Sequence, residues 1–405
     1  LVKKRDFFDL PNWREIVDSL ETRALLDPNF KVFWQVSQKY EMRMNEKLDR
    51  DVEKIRVFLA ASVDFVVLQN KYCLDFNNKF MTTFNRTFNK VGFSKYKLGW
   101  NRLYHSFGNK TQTLSVDGES FDTTIGPFLI DLMAELRLDS YKLDYDRKIL
   151  LQMIKFFYTN IMNSLLVLED GILVFKEMGN TSGQASTIID NTGVSIAALA
   201  YYYFRWCRES KLNPTIEHFF CVLTAAILGD DTLVGVDPFG SFKIDFVSMC
   251  KYYSEIGLKL TLEEMENVPL QDTEFMSTRF IKHESGVWLP LMNRNKMFSS
   301  LILGDKNPDP RWTLLRIYAF RTECWADKEF ISMLEEFEVY VLKRHRDQLV
   351  GSIDLGNGDY ITMDMVYRSR LSDRELDFLY MGLEDNLHAL YFDFSLHAKV
   401  LQLNW

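Results

Sequence analysis

Apolar and polar positions follow two different periods along this chain. Apolar residues at helical spacing predict helices over Phe33–Lys47, Phe128–Leu138, Arg147–Asn163, Ser186–Arg205 and Phe246–Ile256. Shorter apolar runs bounded by turn residues predict strands over Gln112–Val116 and Leu258–Leu262. Two further pairs of runs predict β-hairpins. One joins Ser164–Leu168 to Ile172–Lys176 through Glu169-Asp170-Gly171, and the other joins Cys221–Leu228 to Thr232–Val236 through Gly229-Asp230-Asp231. Asn77-Asn78 reads as a loop signal, and Gly179–Gly183 as a polar glycine loop. From about Asn293 onward the pattern is mainly helical. The apolar stretch Val57–Leu68 is broken by Asp64 and reads as a buried segment rather than a membrane span.

Composition narrows the picture. At 405 residues the chain is long enough for two or three subdomains, and no Pro/Gly/Ser-rich linker separates them. The net charge of −8 gives no global attraction for nucleic acid, so any such binding must use local basic patches. Lys90, Lys95, Lys97, Arg102, Lys110, Arg279 and Lys282 are candidates, although each is also an ordinary surface charge. The five cysteines stand far apart, which argues against a disulfide framework or a zinc site and for a reducing cytosolic setting. A start at Leu1 followed by Lys3-Lys4-Arg5 suggests a piece of a longer product, such as a processed polyprotein.

Four segments carry candidate chemistry. Adjacent carboxylates at a hairpin tip repel each other unless a cation sits between them, so Asp230 and Asp231 suggest a divalent metal site. Taken alone, such a triplet is more often only a turn. Asp117 and Asp122 follow an apolar strand, and two Asp from separate strands can hold two Mg²⁺ for nucleotidyl transfer. The plainer alternative is a strand-to-helix turn with an Asp cap. Ser182, Thr187 and Asn191 follow the glycine loop. Thr187 and Asn191 lie four apart on one helix face, where they could read a ribose hydroxyl or simply be polar helix residues. Lys54 and Arg56 alternate along an extended segment and could grip a triphosphate, or could line a solvated edge strand.

In order and spacing these segments resemble the RNA-dependent RNA polymerases of positive-strand RNA viruses. Lys54 and Arg56 match the basic finger motif, Asp117-x4-Asp122 the first palm motif, Ser182-Gly183-x3-Thr187-x3-Asn191 the second, and Gly229-Asp230-Asp231 the third. The wording of Asp117–Ile125, Gly179–Thr187, Asp75–Phe80, Gly99-Trp100-Asn101 and Phe275-Met276-Ser277 is similar to the nuclear inclusion b polymerases of potyviruses, and the source is expected in a potyvirus-like or astrovirus-like group.

The resemblance implies an α+β right-hand polymerase fold of fingers, palm and thumb, with an antiparallel palm sheet flanked by helices. Fingers would occupy 1–109 and 136–181, palm 110–135 and 182–285, and thumb 286–405. It implies catalytic metal ligands Asp117 and Asp230 with Asp231 in support, holding two Mg²⁺ ions with Mn²⁺ as a substitute. Asp122 and Asn191 would sense the 2′-hydroxyl, Ser182 and Thr187 would position the nucleotide, and Lys54 and Arg56 would hold the triphosphate. Phe275 to Arg279 would touch the primer strand. The lysine that usually serves as general acid is missing from Glu263–Val268, which leaves Lys259 as the nearest candidate. Expected partners are an RNA template, the nascent strand, NTPs, a viral protein primer and other replication proteins. The expected setting is host cytoplasm at membrane-associated replication complexes reached through partners, or the nucleus if the chain is potyvirus-like. Two alternatives remain. A reverse transcriptase shares the palm but would block the 2′-hydroxyl instead of welcoming it, and a non-catalytic scaffold would have no need of the carboxylates.

Overall fold

A strand buried on both faces, β3 (Gln112–Gly118), runs through the middle of the site-bearing sheet. In this computed structural model, described for residues 4–38, 57–141, 146–262, 267–303, 309–354 and 360–382, the chain divides into two units. The first comprises Leu1–Phe93 and Asn109–Val268, the second Ser94–Gly108 and Pro269–Trp405.

The first unit holds two sheets. One has the order β2-β1-β4-β5, formed by β1 (Phe33–Gln38), β2 (Val57–Ala61), β4 (Ser164–Val167) and β5 (Leu173–Lys176). The other has the order β6-β7-β3-β8, formed with β6 (Leu223–Leu228), β7 (Asp231–Val236) and β8 (Leu260–Leu262), and a short fifth strand pairs β3. All the pairings of β3 with β7 and β8 and of β6 with β7 are antiparallel.

Helices cover these sheets because their apolar stripes need a partner. The helix Thr187–Glu209 is buried along one flank and contributes Val194, Ala198, Leu199 and Tyr202 to the core. It lies so close to the helix Pro127–Ser140 that a Cβ on Gly193 would come within 2.5 Å of the Met133 sulfur. The helices Trp13–Leu26, Val63–Met81 and Arg147–Met162 share a second region of this core, where Trp34 and Phe65 meet edge-on at 5.3 Å.

Two sequence expectations fail here. Phe33–Lys47 does not begin as a helix, because Phe33, Trp34 and Gln35 pair in parallel with Leu165, Leu166 and Val167, and the stretch 33–38 is β1. Asn77 and Asn78 form no loop but lie inside the helix Val63–Met81, where the buried Asn77 amide donates to Ser186 and its carbonyl accepts from Arg137.

The second unit is mainly helical, with helices Pro310–Glu323 and Lys328–Arg344 sharing an apolar core. It also contains a hairpin of Thr278–Lys282 with Trp288–Met292 and a shorter one of Ser352–Asp354 with Tyr360–Thr362. Lys95, one of the basic-patch candidates, is engaged here with Glu323, which also accepts from the Tyr96 hydroxyl. Lys90, in the first unit, is likewise no surface charge. Its buried ammonium donates to the carbonyls of Phe84, Thr87 and Asn89. No described helix is long and apolar enough to cross a membrane.

Candidate active site

Strand register brings the candidate carboxylate residues to one end of the sheet. Leu228 pairs with Asp231, so Gly229 and Asp230 alone form the hairpin turn. Gly at the first position of a two-residue turn supplies the left-handed backbone such turns require, and Gly229 has φ 66°. Val116 of β3 pairs with Thr232 of β7, so the next residue along β3, Asp117, comes level with Asp231 at the same end of the sheet. On the other side of β3, Asp117 pairs with Thr261 of β8, whose hydroxyl donates to the Asp117 carbonyl at 3.3 Å. Asp117, Asp230 and Asp231 are all half-buried.

Among the described residues no three His, Cys, Asp or Glu side chains converge as a ready-made metal cage. That donor set still fits magnesium, which keeps water and takes one or two carboxylates together with substrate phosphates instead of an all-protein cage.

Next to this end lies a polar pair bridging two segments. Asp122, in the short helix Phe121–Thr124, accepts a hydrogen bond at 2.7 Å from the side-chain amide of Asn191. The Asn191 carbonyl accepts in turn from Asn180 at 2.8 Å, and the Asn180 backbone N–H donates to the Asp122 carbonyl at 2.6 Å. Lys176 closes the same loop. Its ammonium donates to the carbonyls of Ile161, Met178 and Gly179, and burial pushes its pKa down to about 8 against the opposing pull of Asp122.

Glycines in this loop serve close backbone packing. A Cβ on Gly179, which has φ 91°, would lie 2.4 Å from the Asp122 carbonyl oxygen, and one on Gly183 would lie 2.0 Å from the Leu59 oxygen. Ser182 accepts from the Leu59 N–H at 3.2 Å, which docks the loop on β2. The Thr187 hydroxyl lies within hydrogen-bonding reach of the carbonyls of Thr181, Ser182 and Gln184, so it staples the loop to the start of its helix.

A buried network that sequence reading missed stands behind the polar pair. Arg137 and Asp190 form an ion pair at 2.7 Å, with both side chains 0% exposed. Burial works against the Arg137 charge, but Asp190, Tyr158 and Cys73 together more than offset it and hold the guanidinium above its ordinary pKa. Tyr158 donates to the same Asp190 oxygen, and Gln184 donates to the other one at 2.8 Å. Signals for these residues were present only as polar letters in apolar helices, such as Arg137 within Phe128–Leu138.

The remaining expected residues are placed unevenly. Lys54 and Arg56 lie outside the described residues. Lys259 is exposed, and its carbonyl accepts from the Glu119 N–H at 2.9 Å, two residues beyond Asp117. Phe275 is buried in the second unit at a turn where Met276 and Ser277 take left-handed φ, and Arg279 lies 3.9 Å from Glu274.

The sequence profile of the family described as viral RNA-dependent RNA polymerase matches residues 3–334. The chain is 31% identical over 345 residues to the genome polyprotein of turnip mosaic virus (strain Japanese), a match covering 84% of this chain and 10% of the polyprotein. It is 32% identical over 311 residues to that of bean yellow mosaic virus, covering 76% of this chain and 10% of the polyprotein. The chain thus spans about a tenth of the length of these relatives. Among solved structures it is similar to the Sicinivirus 3Dpol RNA dependent RNA polymerase, with a TM-score of 0.63 at 16% identity over 86% of this chain and 70% of the other. At that identity the likeness speaks for the fold, which is an α+β polymerase fold.

Proposed function

The chain belongs to the viral RNA-dependent RNA polymerase family, and on that premise we propose that it copies viral RNA from ribonucleoside triphosphates by two-metal nucleotidyl transfer during genome replication. The observation that carries the reading is the β3–β7 register, which sets Asp117 beside Asp231 and the Gly229-Asp230 turn. Asp117 and Asp230 are the main metal ligands in this proposal, with Asp231 in support. Two magnesium ions bound there, or manganese in their stead, would supply Lewis-acid activation of the attacking hydroxyl and steady the departing pyrophosphate.

This chain's own residues do the rest. The Asp122–Asn191 pair offers both an acceptor and an amide to a ribose 2′-hydroxyl. Ser182 and Thr187 hold the loop whose Asn180 braces this pair, and so position the nucleotide through its shape. Lys54 and Arg56 bind the triphosphate. Lys259 is the candidate proton donor to pyrophosphate. In this reading the sheet β6-β7-β3-β8 is the palm, and the helices from Arg294 onward form the thumb. The chain's partners are template RNA, nascent strand, a viral protein primer and replication proteins that bring it to host membranes.

A reverse transcriptase is the competing enzyme, and the polar pair at the ribose position weighs against it, because deoxynucleotide selection favours a bulky block there. Primer extension with template RNA, NTPs and Mg²⁺ tests the proposal. Wild-type protein should extend the primer, and folded Asp230→Ala should not. Equal extension by both removes the metal assignment, and a preference for dNTPs over NTPs overturns the RNA-polymerase reading.

A further inference from the structure

We propose that Thr192 and Ser195 are positioning residues that grip the Gly229 peptide and through it set the Asp230 carboxylate at a fixed distance from the ribose-sensing Asn191. The inference rests on the polymerase reading above and adds to it the device that aligns two parts of the site.

Gly229 is buried at the turn, and both of its backbone polar groups are held by one helix, Thr187–Glu209. Its N–H donates to the Thr192 hydroxyl at 2.8 Å. Its carbonyl accepts from the Ser195 hydroxyl at 2.7 Å. The two hydroxyls are three residues apart and so share one helix face.

The direction of these bonds is settled by a third. Thr192 donates its only hydroxyl hydrogen to the Ile188 carbonyl at 2.7 Å, one turn back along the helix. Its oxygen can then act only as acceptor toward Gly229. A Ser or Thr hydroxyl inside a helix can bond the carbonyl one turn back in its own helix, whereas these two reach across 37 and 34 residues to the turn. Thr192 is 0% exposed and Ser195 is 2% exposed, so water cannot replace either bond.

The consequence is geometric. The Gly229 carbonyl belongs to the peptide that leads into Asp230, so holding it orients that peptide plane and the start of the Asp230 backbone. Leu228 and Asp231 already close the turn from the strand side, which leaves the peptide orientation as the freedom the helix removes. The neighbouring residue, Asn191, reaches Asp122 from the same helical turn. Asp190, one position earlier, is anchored to Arg137. Three consecutive residues therefore tie the fixed ion pair, the ribose pair and the metal-bearing turn to one rigid element.

The test uses the full chain in primer extension with Thr192→Val, Thr192→Ser and Ser195→Ala, each checked by thermal melting. Thr192→Val leaves the buried Gly229 N–H without an acceptor, and kcat should fall roughly tenfold or more. The KM for NTP should change little, and the Mg²⁺ concentration for half-maximal rate should rise. Thr192→Ser keeps the hydroxyl and should restore the rate, and Ser195→Ala should lower kcat with the same signature. Wild-type rate in a folded Thr192→Val, or equal impairment of folded Thr192→Ser and Thr192→Val, overturns the inference while leaving the polymerase reading intact. Should Thr192→Val fail to fold, a wild-type rate in Ser195→Ala overturns it instead. A wild-type chain that cannot extend RNA overturns the polymerase reading and the inference with it.

Discussion

Asn191 illustrates how much one side chain can carry. Its amide donates to Asp122 and its carbonyl accepts from Asn180, so both ends of the group are committed before any nucleotide arrives. An incoming 2′-hydroxyl would meet a pair already oriented, and preorganised polar groups discriminate best against a ligand lacking the matching hydroxyl. Replacing Asn191 with Ala should lower the preference for NTP over dNTP by roughly tenfold, the cost of about one hydrogen bond to a partly buried charged group. Single-nucleotide incorporation with matched NTP and dNTP reads this directly, and an unchanged ratio would remove Asn191 from ribose selection. Asp122 and Asn191 were legible from spacing, because each stands at a set interval from a glycine loop or an apolar strand. Their partner Asn180 was legible only as a loop residue, since its bonds depend on the loop's path.

At the scale of elements, the glycine loop 179–183 has a role different from the one its composition suggests. Glycines can let a loop approach a ligand closely, yet here the structure spends that room on its own backbone. Gly183 lets the loop lie against Leu59 and Ala60 of β2, with Ala60 and Gly183 forming an isolated bridge. Gly183→Ala would push a methyl group into the Leu59 carbonyl, and the loop or the strand must move to admit it. An overpacked site of this kind costs on the order of 1–3 kcal/mol, so thermal unfolding should show a clearly lower midpoint. A midpoint equal to wild type would mean that the loop does not pack on β2 in solution. Local pattern did predict the hairpins, since turn residues and flanking apolar runs sit within a few positions of each other. It missed β1, whose parallel partner β4 lies more than a hundred residues away in sequence.

For the whole molecule, five free thiols distributed over two units offer a probe of each. Cys73 and Cys207 are buried in the first unit and Cys324 in the second, whereas Cys221 is exposed. Burial pushes the Cys73 thiol up to about 11 and raises Cys324 further, so neither forms the reactive thiolate at neutral pH. A thiol reagent should label Cys221 first in native protein, and Cys73, Cys207 and Cys324 only on unfolding. Mass mapping along a urea series would then show whether the units open together, and rapid native labelling of Cys324 would contradict its burial. The sequence alone nominated candidates for chemistry: the carboxylates Asp117, Asp122, Asp230 and Asp231, the amide Asn191 and the turn that carries Asp230. It could do so because the signals are local, a residue type at a short interval from a turn or a periodic run. Only the tertiary structure decided how those groups are held. The Arg137–Asp190 pair joins residues 53 apart, and Thr192 and Ser195 reach a turn 37 and 34 residues downstream. Such contacts leave no period in the sequence, because long-range packing rather than local propensity sets which buried polar groups find each other.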